Sequence, residues 1–506
     1  MAVVEIETSD QPRLGRPWLV LALATGVGVG VDLLVVRHPV GLGASVLGMV
    51  LATGVTLGRT LFGLRATRES FALAAVLGLW SILISIRTAP LLVVLNAVAA
   101  VLLLGLTFRL LKSGGLPSWT IAGYVRSGFA TLSGWIAQPI GFLTLDLSGR
   151  WPRSDRLGRI GRILIGVFLA LPLLGVFAAL FSSADPVFEG YLNSVLSIDI
   201  DLASITGHLI AVSAFTWLGV GAARYALVQH GEDATGAIKL RLGRVEAATM
   251  LVLLNGLFLV FVIVQSAYLF GGRETLNQVG LTYAEYARRG FFELVAVGSL
   301  IVGLVLVIDW LVQKDALRVR AVDILHGGLI SLTLVVLVSA LGRMRLYTAT
   351  FGLTELRLYT TVFMGWVFLV LGWLVFSVLR GRRAAFAFGA FVSALVVLAG
   401  LTVANPAGII VRTNITRQAA TLPDLDATYL VDLGSDAVPA LIAALDEIQP
   451  CQTRSELAEE LLRVGKDGLA AAGTDWKSAT WSRFRADQAF AAAEPHLRAA
   501  ASDVCS

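Results

Sequence analysis

The sequence predicts an all-α, polytopic helical membrane protein with a small C-terminal helical extracytoplasmic domain, and three observations predict it. Of 506 residues, 56% are hydrophobic and 15% charged, whereas a soluble domain carries about 25% charged residues. Apolar runs near 20 residues recur along the chain, each long enough to cross a hydrocarbon core of about 30 Å as a helix. After Asn405-Pro406 the composition turns polar and Ala-rich. Helices are required in the apolar part because lipid offers no partner to backbone N–H and C=O groups.

Residues 1–16 form a short polar tail, expected in the cytoplasm. Four spans follow as a first bundle over 17–108, at about 17–36, 40–58, 70–87 and 90–108. The first has an apolar stretch longer than the roughly 7–15 residues of a signal-peptide core, with no small-x-small cleavage site behind it, so it is read as a retained span. The segment 109–159 mixes Trp119, Tyr124, Phe129, Trp135, Phe142 and Trp151 with basic residues, a pattern suited to a membrane surface. A second bundle of seven helices is expected over 160–403, at about 160–182, 205–227, 244–270, 290–312, 324–342, 356–379 and 384–403, about eleven spans in all. Pro172 should kink the first of these. The GVGVG run at Gly26–Gly30 and the triplet Gly41, Ser45 and Gly48 supply small residues at helix-packing spacing. Asn96, Asn255 and Gln265 are placed to hydrogen-bond between helices. Within 404–506, SDAVPALIAALDEI from Ser435 to Ile448 reads as a capped helix with an early proline. TRSE from Thr453 to Glu456 has capping-box spacing, and a last helix is expected over about 477–501.

Arginine and lysine set the orientation. Arg13, Arg16, Arg59, Arg65, Arg68, the 109–162 segment, Lys239, Arg241, Lys314, Arg318, Arg320, Arg380, Arg382 and Arg383 fall in one set of connections. The loop 183–204 has no Lys or Arg but holds Asp185, Glu189, Asp199 and Asp201. The N-terminus is therefore expected in the cytoplasm and the C-terminal part outside. The two cysteines, Cys451 and Cys505, both fall in that outer part, where an oxidising compartment favours one disulfide. The net charge of +5 follows from the basic connections and calls for no nucleic-acid partner.

No GxxxxGK[ST], HExxH or CxxC motif is present, and the five histidines are scattered. No catalytic constellation, cofactor or metal site is expected, so enzyme classes rank last. The ligand-binding candidates lie in two charged stretches. GLTYAEYARRGFFEL carries Glu285, Arg289 and Glu293 four residues apart, on one helical stripe, with Arg288 beside them. RMRLYTATFGLTELRLYT carries Arg343, Arg345, Tyr347, Glu355, Arg357 and Tyr359 at the same expected membrane level, and Asp32 lies near the outer end of the first span. A lone carboxylate in a span needs a partner, and guanidinium forks suit carboxylates and phosphates. The competing reading is plain: interfacial Tyr and Arg anchor helices, and Glu–Arg pairs hold them together. Glu246, Asp309, Asp323 and His326 form a weaker inner group with proton-relay chemistry.

These stretches carry a resemblance. SADPVFEGYL, LTYAEYARRGFFEL, RLYTATFGLTELRLYT, NPAGIIVRTNITR and LDATYLVDLGSDAVPAL, over roughly 155–445, resemble a bacterial family known only as domain of unknown function 4173, related to 4153. The resemblance implies a multi-pass protein of the bacterial cytoplasmic (inner) membrane and no particular activity. Three roles fit. The first is binding or movement of an anionic lipid-like or small ligand at the outer Arg/Glu/Tyr cluster. The second is ion-coupled secondary transport, and the third an envelope scaffold or sensor meeting a protein partner through its C-terminal domain. The lipid bilayer is the common partner of all three.

Overall fold

The computed structural model describes residues 14–36, 38–62, 68–110, 121–147, 202–228, 244–270, 296–301, 303–304, 320–379, 384–421, 425–465 and 475–503. Every regular element among them is helical. In the apolar part these are α1 (Pro17–Val31, continued by a π turn Asp32–Val36), α2 (Leu42–Leu61), α3 (Arg68–Ile84), α4 (Pro90–Arg109) and α5 (Ile121–Gly141, continued by a π turn Phe142–Leu147). Then come α6 (Leu202–Val228), α7 (Arg244–Phe270), α8 (Arg320–Phe351), α9 (Glu355–Leu379) and α10 (Ala384–Ala404). Among the described residues six stretches are long and apolar enough to cross a membrane: Pro17–Val36, Pro90–Arg109, Gly207–Val228, Ile324–Phe351, Glu355–Ser377 and Phe386–Ala404. Leu42–Gly58 and Ala248–Val264 are shorter apolar helices. The expected span at 160–182, with Pro172, lies outside the described residues; of that at 290–312, the helical residues 296–301 and 303–304 are described.

Prolines start α1 and α4, where the missing N–H costs nothing. Large apolar side chains stay outside, Leu79 at 69% and Leu253 at 70% exposure, which in water would be an aggregation surface and in lipid is ordinary. Small residues set the close contacts. A Cβ at Gly28 of α1 would stand 2.6 Å from the Val212 carbonyl of α6, and one at Gly48 of α2 would strike Ser81 of α3. Polar ties are sparse, as expected between spans. The Asn96 amide of α4 donates to Thr402 Oγ1 of α10 at 3.0 Å, and Asn255 of α7 to the Leu325 carbonyl of α8 at 3.0 Å. Leu251, Leu329, Val336, Leu337, Met364 and Leu371 form the buried seam of α7, α8 and α9.

A sharp corner closes the apolar part. Asn405 sits at φ 57°, a left-handed conformation that asparagine tolerates at a helix C-terminus. Its Oδ1 accepts from Gly408 N at 3.2 Å, and Pro406 opens α11 (Pro406–Thr421). Beyond it lie α12 (Ala427–Asp432), α13 (Val438–Ala443), α14 (Cys451–Val464) and α15 (Trp481–Ser502). Ile410, Leu430, Leu441, Leu445, Ile448, Leu457 and Leu497 pack them into one core, hereafter the cap, which also takes in Leu353 from the α8–α9 turn.

Two expectations change here. SDAVPALIAALDEI is not one helix but α13 between two 3-10 turns, Gly434–Asp436 and Leu445–Glu447. Thr453 makes no capping box, because α14 already begins at Cys451 and Thr453 falls inside it. The early proline does stand at the start of α13. The last helix begins at Trp481, where Thr480 Oγ1 accepts from Arg483 N at 3.3 Å.

Candidate functional site

Of the charged candidates, Glu285, Arg288, Arg289 and Glu293 lie outside the described residues. The second stretch is described, and its form differs from a simple connection: α8 runs on to Phe351, so Arg343, Arg345 and Tyr347 sit on its last turns. Gly352, at φ 78°, then reverses the chain. Arg357 reaches back from α9 and donates to the Phe351 carbonyl at 3.0 Å and to that of Gly352, capping the end of α8. Its guanidinium carbon stands 4.2 Å from the centre of the Tyr347 ring, a cation–π contact. Tyr359 Oη donates to Glu355 Oε1 at 3.4 Å. Arg345 is exposed and Arg343 half-buried.

The cap grips the same turn. Asn414 of α11 receives Leu353 N at 2.7 Å and donates to the Leu353 carbonyl at 2.8 Å, and Arg417 donates to the Thr350 carbonyl at 3.1 Å. Tyr429 Oη accepts from Glu355 N at 2.9 Å. Burial pushes the Tyr429 hydroxyl above its ordinary pKa, against the smaller opposing pull of the Glu355 backbone bond. Four of the predicted residues thus meet in two pairs, Tyr347 with Arg357 and Glu355 with Tyr359, and their other contacts include the backbone of the turn and Tyr429 of the cap.

Asp32, expected to join the arginine-rich stretches, has a histidine partner. It is buried in the π turn after α1, and its Oδ2 lies 2.5 Å from His208 Nδ1 of α6. The chain folds this way because Gly28 and Gly219 let α1 and α6 run close together. At the other end of α1, Arg224 Nε donates to Asp146 Oδ2 at 2.7 Å, and Asp146 Oδ1 accepts from Leu14 N at 2.8 Å. Arg224 is 1% exposed and also donates to Gln138 Oε1. Glu246, Asp323 and Gln265 lie on described helices, but their side chains fall outside the described residues, as Asp309 does altogether. His326 is buried on α8.

The most densely bonded group was not among the candidates. Asp436, 1% exposed, leaves the cap and enters the loop between α3 and α4. Its Oδ2 accepts from Thr88 N at 2.9 Å, Thr88 Oγ1 at 3.0 Å and Ala89 N at 3.0 Å. Its Oδ1 accepts from Ser482 Oγ and lies 3.5 Å from Arg87 Nη1. Thr88 and Ala89 stand just ahead of α4, whose N-terminus favours an anion there. Arg87 also donates to the Thr402 carbonyl at 2.7 Å and the Val403 carbonyl at 2.8 Å. Burial lowers the Arg87 pKa and Asp436 opposes that shift. A strap from Asp475 to Ser482 continues the contact. His38 Nδ1 lies 2.7 Å from Asp475 Oδ2, Leu42 N donates to the Ala479 carbonyl at 2.9 Å, and the N–H groups of Trp481 and Ser482 donate to the Ser85 and Ile86 carbonyls at 2.9 and 3.1 Å. The sequence signal was Arg87 itself, a basic residue between two apolar runs on the side where basic residues are scarce.

Chemically, these arrangements hold helices and a cap in register. Among the described residues no group of three or more His, Cys, Asp and Glu side chains is placed to hold a metal ion. No curated protein and no solved structure matches the chain. The sequence resemblance was to domain of unknown function 4173 with 4153 beside it; the match found is with 4153, and it reaches back into α3, before the expected start near 155. That family model, "Domain of unknown function (DUF4153)", covers residues 74–444, from α3 to the end of α13 and well over half of the chain, and the protein belongs to the DUF4153 family.

Proposed function

We propose that this integral membrane protein is an envelope scaffold or sensor of the bacterial inner membrane, whose C-terminal domain lies outside the cytoplasm and couples what it meets there to the spans beneath. The observation that carries this reading is the seat of Asp436. A buried carboxylate with donors from Arg87, Thr88, Ala89 and Ser482 joins the cap to the mouth of α4. A domain that only hung from the membrane would need no such joint. Leu14 and the cap lie at opposite ends of α1, the former against Asp146 and the latter against His38. This supports an N-terminus and a C-terminal domain on opposite sides. Arg454 Nη2 lies 3.3 Å from Asp503 Oδ2, and Ser455 Oγ 3.2 Å from the Ala501 carbonyl. These contacts set the end of α15 against the start of α14, which supports a bridge between Cys451 and Cys505, the latter outside the described residues, and a bridge fits an oxidising side.

The test is complementation in a strain lacking the gene, with the folding of the spans followed in parallel. A chain ending at residue 420 should fail to restore the wild-type phenotype while its spans stay folded, and full-length Asp436→Ala should restore little of it with the cap still folded. Full rescue by the truncated chain would overturn the reading. A second reading, an anionic lipid-like ligand held at the end of α8, rests on the exposed Arg345 there. It predicts a co-purifying anion, seen by mass spectrometry, that Arg345→Ala and Arg289→Ala lose. Equal occupancy in both variants would end it.

A further inference from the structure

We infer that residues Trp476 to Arg485 form an interfacial anchor that beds the cap in the phospholipid headgroup layer, the ligand being a bilayer surface. The first observation is where the cap is apolar outside. Its large apolar side chains, among them Leu441, Leu457, Leu461 and Leu497, are turned inward. Among the described residues of 406–503, those left exposed are Trp476 at 55%, Trp481 at 54% and Phe484 at 51%. All three fall within one short stretch of sequence. Trp481 and Phe484 stand one turn apart on α15 with ring centres 5.7 Å from each other, so they present one aromatic surface.

The second observation is the level of that surface. The strap carrying it is bonded through its backbone to Ser85 and Ile86, directly after α3, and to Leu42 at the start of α2, and through Asp475 to His38 just beyond the π turn of α1. Asp436, which binds Ser482, reaches Ala89, the residue that caps the start of α4. Four helix ends therefore fix the height of the ridge. The lipid-facing side of the spans runs up to it: Leu79 and Ile82 on α3 and Leu42, Val46 and Met49 on α2 are exposed. An aromatic surface continuous with a bilayer-facing one, at the depth where spans end, is the setting in which Trp is favoured, with its ring in the acyl boundary and its N–H in the headgroups.

The third observation is charge. Lys477, Arg483 and Arg485 alternate with the aromatics. Arg485 is exposed, Arg483 donates to the Ser478 carbonyl at 2.6 Å, and Lys477 Nζ lies 3.2 Å from His38 Nε2. Cationic groups beside exposed aromatics match phosphodiesters above an acyl boundary. The inference stands on the membrane class alone and does not need the scaffold reading.

The experiment uses full-length protein, one copy per nanodisc, in phosphatidylethanolamine and phosphatidylglycerol doped with a phospholipid bearing a diazirine near its headgroup. After irradiation, adducts are mapped by peptide mass spectrometry. Peptides covering 476–485 should be labelled several-fold more than the cap helix 451–464 and comparably to 42–58. Labelling of 476–485 no higher than that of 451–464, with 42–58 labelled in the same sample, would overturn the anchor. Labelling at 476–485 that vanishes when two copies share a disc would assign the ridge to a second copy and overturn it equally.

Discussion

At the residue scale, the buried pair of Arg224 and Asp146 is an ionisable group answered by its surroundings. Arg224 and Asp146 are 1% and 0% exposed at their side chains and 2.7 Å apart. Removing one partner from such a pair costs about 3–5 kcal/mol, because the other charge is left stranded in a medium of low dielectric. Asp146→Leu should therefore lower the denaturation midpoint sharply in detergent, whereas Asp146→Leu with Arg224→Met should recover part of the loss. Equal instability of the single and double variants would mean that the Leu14 and Gln138 bonds, not the charge pair, set the cost. Tyr429 gives a second test at this scale, through pH. Burial raises its pKa above 10.0 in the fold, so the folded state holds the proton where the unfolded chain has lost it. The associated stability is complete below about pH 10 and falls as pH rises through the higher folded value. Denaturant midpoints followed above pH 10 should decline less steeply for Tyr429→Phe than for the wild type; parallel slopes would show that the hydroxyl is not held neutral by the cap.

At the scale of elements, small residues and corner chemistry decide how helices meet. Gly28 and Gly26 are neighbours on α1 with opposite surroundings. A Cβ at Gly28 would meet the Val212 carbonyl at 2.6 Å, whereas one at Gly26 would meet nothing within 4 Å. Gly26→Ala should thus stabilise by up to about 1 kcal/mol through helix propensity, and Gly28→Ala should destabilise by forcing α1 off α6. Thermal unfolding of the two variants in the same detergent measures the contrast, and equal shifts would count against the close packing. This face was legible in the sequence, because GVGVG inside an apolar run has few other uses. So were the ends of α1 with its π turn, α4, α9 and α10, which the apolar runs place to within about a residue. The α8–α9 turn was half legible: its residue types pointed to an interface, but the extension of α8 to Phe351 depends on Asn414 and Arg417, which arrive from α11. The Asp436 seat was not legible. Arg87 and Asp436 stand 349 positions apart; Arg87 closed the expected span 70–87, and Asp436 fell in a stretch read as helix-capping chemistry. Burial and convergence of donors, which make the pair distinctive, are properties of the fold alone.

For the molecule as a whole, the two ends of α1 organise everything else. At one end Leu14 and Arg224 both meet Asp146; at the other Asp32 meets His208 and His38 meets Asp475 of the cap. Between Pro17 and Val36 the chain is helical for 20 residues, about 30 Å at 1.5 Å per residue, the thickness of a hydrocarbon core. If α1 crosses the bilayer, Gly15 and Arg485, both exposed, fall on opposite faces. Gly15→Cys and Arg485→Cys, expressed singly in intact spheroplasts, should differ under a membrane-impermeant maleimide. Arg485→Cys should label at once, and Gly15→Cys only after the membrane is opened. The wild type should label only after reduction, when a bridge between Cys451 and Cys505 is broken. With the wild type unlabelled, immediate labelling of both variants, or of neither, would put the two ends on one side and remove the ground for an outer cap. Labelling of the unreduced wild type would instead remove the bridge alone and leave the crossing of α1 intact, because the sidedness rests on the helix and the strap rather than on sulfur.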